Sequence, residues 1–210
     1  METKKVIVCD LDGTLAPSKS SISSGMVEVL SHILERHQFA VVSGGTYDQF
    51  EKQFLSRLNF GPELLRNLYL FPNMGSAGYI YDHRSGSWKE LYKEVLAKKE
   101  KDKIKKAINE GIKELGLNMS GSFGEIVEDR GSQITFSGRG QNAPISIKTN
   151  WDPDRSKRSA LAEILRKKLP EFTVRIGGTT SVYLTKNGVD KAYAIQKIKE
   201  ILKVKDEDIY

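Results

Sequence analysis

Two carboxylates, Asp10 and Asp12, stand two residues apart in the segment CDLDGTL, directly after a nearly continuous apolar run at residues 5–9 (KVIVC). Such a run is expected of a central parallel strand buried on both faces. Its carboxyl end is where open α/β sheets place their ligands, and Gly13 permits the sharp turn that would bring both acids inward. An acid pair so placed is a candidate for metal binding and acid–base work. The competing reading is an Asx-turn or a helix cap, the common fate of Asp after a strand. A calcium loop is excluded: counted from Asp10, it needs Gly at the sixth position and an acid at the twelfth, where Leu15 and Ser21 stand.

The elements that must hold these acids follow in order. Met26, Leu30, Ile33, Leu34 and His37 recur at helical spacing, and FAVV at 39–42 reads as a second buried strand ending in Ser43, Gly44 and Gly45. A further helical pattern through Phe50, Phe54 and Leu58 leads to LYLF at 68–71, so the first 80 or so residues predict an open parallel sheet with right-handed crossovers. The middle of the chain changes character. Short alternating runs (GYIYD, SWKELY, EIVED, SQITFS) accompany two amphipathic helices, one with Ile104, Ile108, Ile112 and Leu115 on a stripe, the other with Leu161, Ile164, Leu165 and Leu169. Strands pairing antiparallel under two helices predict a compact α+β unit. From Gly188 the pattern returns to α/β, with Ala192, Ile195, Ile198 and Leu202 lining a helix.

Composition narrows the class. Hydrophobic residues at 39% and charged residues at 29% give the balance of a soluble globular protein, not of a disordered or membrane chain. The opening METKKVIVCD meets an acid too soon for a signal peptide or a membrane span, and Cys9 has no second cysteine to pair with, so a cytoplasmic location is expected. A net charge of +6 favours an anionic ligand. Nucleic acid is not expected, because the basic run from Lys98 to Lys106 is broken by Glu100 and Asp102 and has no interleaved aromatics, as in a solvated helix face. GRGQNA at 138–143 fits a loose dinucleotide pattern, but the strand-like ISIKT follows where that site needs a helix. His32, His37 and His83 do not group at metal-ligand spacing.

Asp10 to Thr14 (DLDGT) resembles the first motif, DxDGT, of the haloacid dehalogenase superfamily. The resemblance implies that Asp10 attacks phosphorus to form an aspartyl phosphate, while Asp12 protonates the leaving oxygen and later deprotonates water or a second hydroxyl. It also implies Mg²⁺, held by the Asp10 side chain and the Asp12 backbone carbonyl. The second motif, a Ser or Thr ending the next strand, is matched by Ser43, with Gly44 and Gly45 leaving N–H groups for phosphate oxygens. The third, a basic residue opening a later helix, is matched by Lys191 in NGVDKAYAI. A lysine in a first turn opposes the helix dipole, and an anion in front of it would explain its presence.

The chain is also similar, along nearly its whole length, to the type IIB branch of that superfamily, which includes eukaryotic-type phosphomannomutases and related sugar phosphatases. The similarity lies in FPNMGSAGY (71–79), EIVEDRGSQITFSGRG (125–140) and RIGGTTSVYLTKNGVDK (175–191). It implies that Arg130 and Arg139 are cap arginines gripping a sugar's distal phosphate, the alternative being ion pairs with Glu128 or Asp129, and that Ser181 is a substrate ligand. Tyr183 stands where the mutase pattern has Asp, and a third cap arginine has no counterpart.

The expected fold is α/β: a doubly wound, Rossmann-like parallel-sheet core of residues 1–81 and 186–210 with an inserted α+β cap of residues 82–185. The expected activity is Mg²⁺-dependent phosphoryl transfer, as a phosphatase acting on a phosphorylated sugar. The alternatives are a phosphohexomutase of the phosphomannomutase type and a noncatalytic phosphosugar-binding protein. No membrane partner is expected, and homo-oligomerisation is left open. The branch's fourth motif, GD…GGND, which adds carboxylates to the metal, is absent from residues 1–210, and the closing VKDEDIY reads as the start of a further strand. The expectation is therefore a chain cut short, with Asp190 the first substitute acid to consider.

Overall fold

The computed structural model describes residues 5–17 and 20–210, so Met1 to Lys4 of the opening segment lie outside the described residues. The chain divides into two compact units, Met1–Glu94 with Val189–Tyr210, and Val95–Gly188.

In the first unit, strands β1 (Val6–Asp10), β2 (Gln38–Val42) and β3 (Leu68–Phe71) pair in parallel, in that order. Their side chains alternate between two cores, as the two-residue period of a strand dictates. Ile7, Cys9, Phe39, Val41, Leu68 and Leu70 face Leu30 and Leu34 of helix α1 (Ser24–Arg36) and Phe50 of helix α2 (Tyr47–Gln53). Val6, Val8, Ala40, Val42 and Phe71 face the opposite way, against Ala194 and Ile198. Burial on both faces is why these strands are continuous apolar runs. Ser23 caps α1 by accepting from the Met26 amide, and Thr46 with Gln49 forms a capping box at α2. A short helix, α3 (Pro62–Leu65), precedes β3. Beyond the other edge of β1, Ile209 pairs with Val6 in parallel, and the Val8 amide donates to the Tyr210 carbonyl at 2.8 Å.

The sheet is mixed, with the expected parallel strands β1 to β3 followed by antiparallel ones. Strands β4 (Ala77–Asp82) and β5 (Ser87–Lys93) extend it antiparallel from β3. GYIYD and SWKELY therefore belong to the first unit, and the inserted unit begins at Val95, not at residue 82, and ends at Gly188, not at residue 185. Alternation does mark an antiparallel strand with one solvated face, but it does not say which sheet the strand joins.

The second unit is a four-stranded antiparallel sheet, β6 (Val127–Asp129), β7 (Gln133–Ser137), β8 (Phe172–Gly177) and β9 (Ser181–Lys186), in the order β6-β7-β9-β8. One face packs Ile134, Phe136, Val174, Val182 and Leu184 against Ile104 and Ile108 of helix α4 (Lys98–Glu114) and Leu161 and Leu165 of helix α6 (Ser156–Lys168). The register puts only polar residues or glycine on the opposite face of β7, β8 and β9, including Gln133, Thr135, Ser137, Ser181, Tyr183 and Thr185. Residues 145–149 (ISIKT), expected to be extended, instead form helix α5 (Ile145–Trp151), whose Trp151 ring packs on Phe136 and crowds Gly138. Packing of that indole overrides the β preference of its isoleucines and threonine. GRGQNA is still no dinucleotide site, because the strand before it, β7, runs antiparallel to both neighbours. Helix α7 (Lys191–Leu202) returns the chain to the first unit.

Candidate active site

Asp10 ends β1, and its register partner on β2 is Val42, so Ser43 begins the neighbouring connection. The segment after Asp10 folds back tightly. Leu15 and Ala16 amides both donate to the Leu11 carbonyl at 3.1 Å, and the Gly13 amide donates to the Ala16 carbonyl at 2.7 Å. Gly13 has φ 84°, in the left-handed region that favours glycine. Leu11 and Leu15 are buried and anchor this turn, leaving Asp12 half-buried between them.

The Asp10 carboxylate is held on both oxygens. Oδ1 accepts from the Leu11 amide at 2.9 Å, and Oδ2 accepts from the Lys191 ammonium. Lys191 is the first residue of α7, and the helix is capped by Asp190, whose Oδ1 accepts from the Ala192 and Tyr193 amides at 2.9 and 3.1 Å. The unfavourable placement of a lysine in a first turn is thus answered by an anion, and that anion is Asp10 itself. The same geometry assigns Asp190 to capping, where the sequence had suggested a substitute metal ligand.

Ser43 is buried, and its Oγ accepts from the Gly45 amide at 3.0 Å. The Gly45 N–H, expected to be available to a phosphate, is spent on this turn, while the Ser43 hydroxyl proton is left to donate. Gly44 is half-buried beneath the Met74 thioether, where a Cβ would lie 2.9 Å from Met74 Cε. The connection after β3 latches this turn: the Asn73 amide donates to the Gly45 carbonyl at 2.8 Å, and the Met74 amide to the Ser43 carbonyl at 2.9 Å. Residue reasoning missed this latch. Its only local signal is the turn chemistry of Pro72, Asn73 and Gly75.

The donors offered to a cation here are carboxylate and carbonyl oxygens, the ligand class of Mg²⁺, which is commonly held by one or two carboxylates together with substrate phosphate. Asp10 and Asp12 fit that requirement. Among the described residues, no group of three or more His, Cys, Asp or Glu side chains forms a fuller cluster.

Of the sites expected in the second unit, Arg130 lies before β7, while Arg139 and Ser181 lie together at its other end. Arg130 is paired with Glu128, Nε at 2.8 Å and one terminal nitrogen at 2.7 Å, in the turn between β6 and β7. Arg139 donates to the Ser120 and Gly121 carbonyls at 3.3 and 3.2 Å and, with Ser146, Ile147, Asn150 and Trp151, lines an open recess of about 380 Å³. Ser181 stands in register with Ser137 and Gly177 on the polar face, where the Tyr183 ring lies so close over Gly177 that a Cβ there would come within 2.6 Å of it.

The family of haloacid dehalogenase-like hydrolases matches residues 7–210. The chain belongs to that family. Among its relatives, the phosphomannomutase of Schizosaccharomyces pombe is 25% identical over 204 residues, covering 94% of this chain and 76% of that protein. The phosphomannomutase of Galdieria sulphuraria is 26% identical over 207 residues, covering 95% and 78%. Among solved structures, the Plasmodium falciparum IMP-nucleotidase superposes with a TM-score of 0.72 at 14% identity, and this chain, 99% covered, spans 58% of that one. A haloacid dehalogenase-like hydrolase from Bacteroides thetaiotaomicron gives 0.63 at 18% identity, covering 99% and 80%. These last two likenesses establish the α/β fold. Among the described residues no helix is long and apolar enough to cross a membrane.

Proposed function

We propose that this protein transfers phosphoryl groups from phosphorylated sugars through an aspartyl phosphate on Asp10, as a phosphatase. The observation that carries the reading is the pairing of Asp10 with Lys191 at the carboxyl end of the parallel strands, next to the Ser43 turn. A carboxylate can act as a nucleophile, and the cation beside it meets the oxygens of an incoming phosphoryl group. One Asp10 oxygen forms a bond to phosphorus as the bond to the sugar oxygen breaks, and Asp12 supplies that oxygen with a proton. Asp12 then takes a proton from water as it attacks the aspartyl phosphate, releasing orthophosphate and restoring Asp10. Ser43 and Lys191 hold phosphoryl oxygens, with Gly44 permitting close approach of the backbone. Mg²⁺ bound by Asp10 and Asp12 would neutralise phosphoryl charge during transfer.

The inserted unit is the proposed source of selectivity, through Arg139 and Ser181, while Arg130 acts chiefly as a partner of Glu128. A cytoplasmic setting is in keeping with the free Cys9. A second reading, a phosphohexomutase, is favoured by the phosphomannomutase relatives. It differs only in that a substrate hydroxyl, in place of water, collects the phosphoryl group. Assaying a panel of hexose phosphates for both orthophosphate release and isomerisation separates the two. Binding without either product would identify a noncatalytic phosphosugar-binding protein and overturn both.

A further inference from the structure

Unusual backbone conformations are concentrated at one place beside the Ser43 turn. Asn73, Met74 and Gly75 follow one another at φ 49°, 60° and 79°. Left-handed glycines are routine, but two successive side-chain-bearing residues there are not, and Met lacks the short polar side chain that eases Asn into this region. Asn73 is only 5% exposed, and its Oδ1 is buried without a hydrogen-bond partner, a cost of about 1–3 kcal/mol. Strain of this kind persists where the surroundings over-determine it.

Those surroundings are the two groups assigned to phosphate. On one side, the Asn73 and Met74 amides hold the carbonyls of Gly45 and Ser43, and the Met74 thioether covers Gly44. On the other, Gly75 lies against α7, where a Cβ would meet the Ala194 Cβ at 2.4 Å, one turn beyond Lys191. The Tyr92 hydroxyl fixes the arch from behind by donating to the Gly75 carbonyl at 2.6 Å.

We propose that residues 73–75 form a positioning arch that sets the Ser43–Gly45 turn against the first turn of α7, so that Ser43 and Lys191 meet the same anion. The phosphate role of those two groups rests on the function proposed above; the mechanical coupling does not. The arch residues touch no reacting atom. Their effect passes through the two elements they join.

Hydrogen–deuterium exchange on the full chain tests the coupling, comparing Gly75→Ala with Gly86→Ala, an exposed hairpin glycine at φ 65° that suffers the same backbone strain away from the arch. Gly75→Ala should speed exchange about tenfold at the amides of 44–46 and of the first turn of α7, while Gly86→Ala leaves both unchanged. Adding Ala194→Gly removes the methyl met at 2.4 Å but leaves the Ala194 Cα at 2.8 Å and the φ of 79°, so it should restore only part of the protection. With p-nitrophenyl phosphate as probe, kcat should fall more than KM rises. Unchanged exchange at 44–46 or an equal change in Gly86→Ala would overturn the arch. Should Gly75→Ala fail to fold, Met74→Gly relieves strain at φ 60° yet uncovers Gly44, and faster exchange there is again required. A wild-type protein that releases no phosphate would sink the proposed function, while the exchange comparison still decides the arch.

Discussion

The Lys191 ammonium rests on the Asp10 carboxylate across 181 residues of sequence, closing β1 onto α7. The pair is solvent-facing, with side chains 51% and 31% exposed, and so contributes at most about 1 kcal/mol to stability. Lys191→Met should therefore shift the unfolding midpoint little, more so because it removes a cation from a helix N-terminus. Phosphate release should nevertheless fall by about 10²–10³ in kcat, the usual loss when a charge-stabilising donor is removed. Thermal unfolding and steady-state kinetics on the same sample check both halves.

Asp10→Asn should abolish turnover while keeping the fold, because the amide is nearly isosteric but not nucleophilic. Peptide mass spectrometry after rapid acid quench should find phosphate on the Asp10 peptide of the wild type and none in the variant. Phosphorylation elsewhere would displace Asp10 from its role.

Titrated alone, Mg²⁺ should bind these 210 residues weakly, since Asp10 and Asp12 offer few oxygens and Mg²⁺ dehydrates reluctantly. Orthophosphate should tighten it by about tenfold or more by supplying further oxygens. Calorimetry with and without orthophosphate reads this directly, and Asp10→Asn, which removes the carboxylate ligand, should weaken both phases.

Arg158 and Asp152 form a buried counterpart to the solvent-facing pair. Their side chains are 3% and 0% exposed, and Arg158 Nε donates to Asp152 Oδ2 at 2.7 Å. The guanidinium also reaches the Asp152 and Gly178 carbonyls, joining α6 to the turn between β8 and β9. Arg158→Ala should cost about 3–5 kcal/mol, because it strands a buried carboxylate. Arg158→Lys should recover little, lacking the planar fork. Denaturant unfolding gives the numbers.

Asp129 makes the stability of the inserted unit pH-dependent. Burial raises its pKa, but the Gly131 amide and the Lys101 and Lys105 ammonium groups outweigh that and leave it below the ordinary 3.8. A carboxyl lowered in the folded state contributes stability above its unfolded pKa and loses it as the pH falls through the folded value. Asp129→Asn should thus be less stable than wild type at neutral pH, with the difference shrinking as the pH falls below the ordinary carboxyl value of 3.8. Melting curves across that range test the sign.

Much of the site was legible because its signals are local. Residues 5–9 and 39–42 are apolar on both faces, so their status as buried strands, and hence the place of Asp10 and Ser43 at their ends, follows from pattern alone. The stripes of α4 and α6 were equally plain. The β4–β5 hairpin was legible as strands but not as part of the first sheet, since alternation specifies faces and not partners. ISIKT misled because the Trp151 contact that makes it helical involves residues beyond the segment. The arch at Asn73–Gly75 was invisible for a related reason: N-M-G signals a turn, but only the neighbours it grips force three left-handed residues in a row.

The insertion also bears on how the molecule assembles. Val95–Gly188 is one uninterrupted stretch with its own apolar cluster, whereas the first unit must recruit α7 from beyond it. Joining Asp10 to Lys191 in an unstructured chain means closing a loop of 181 residues. If the insertion is already collapsed, the floppy part of that loop is roughly halved, which lowers the closure cost by about 0.6 kcal/mol. The gain is small. Its direction favours a sequence of events in which the inserted unit orders early and the docking of α7, and with it the charge pair of the site, comes late.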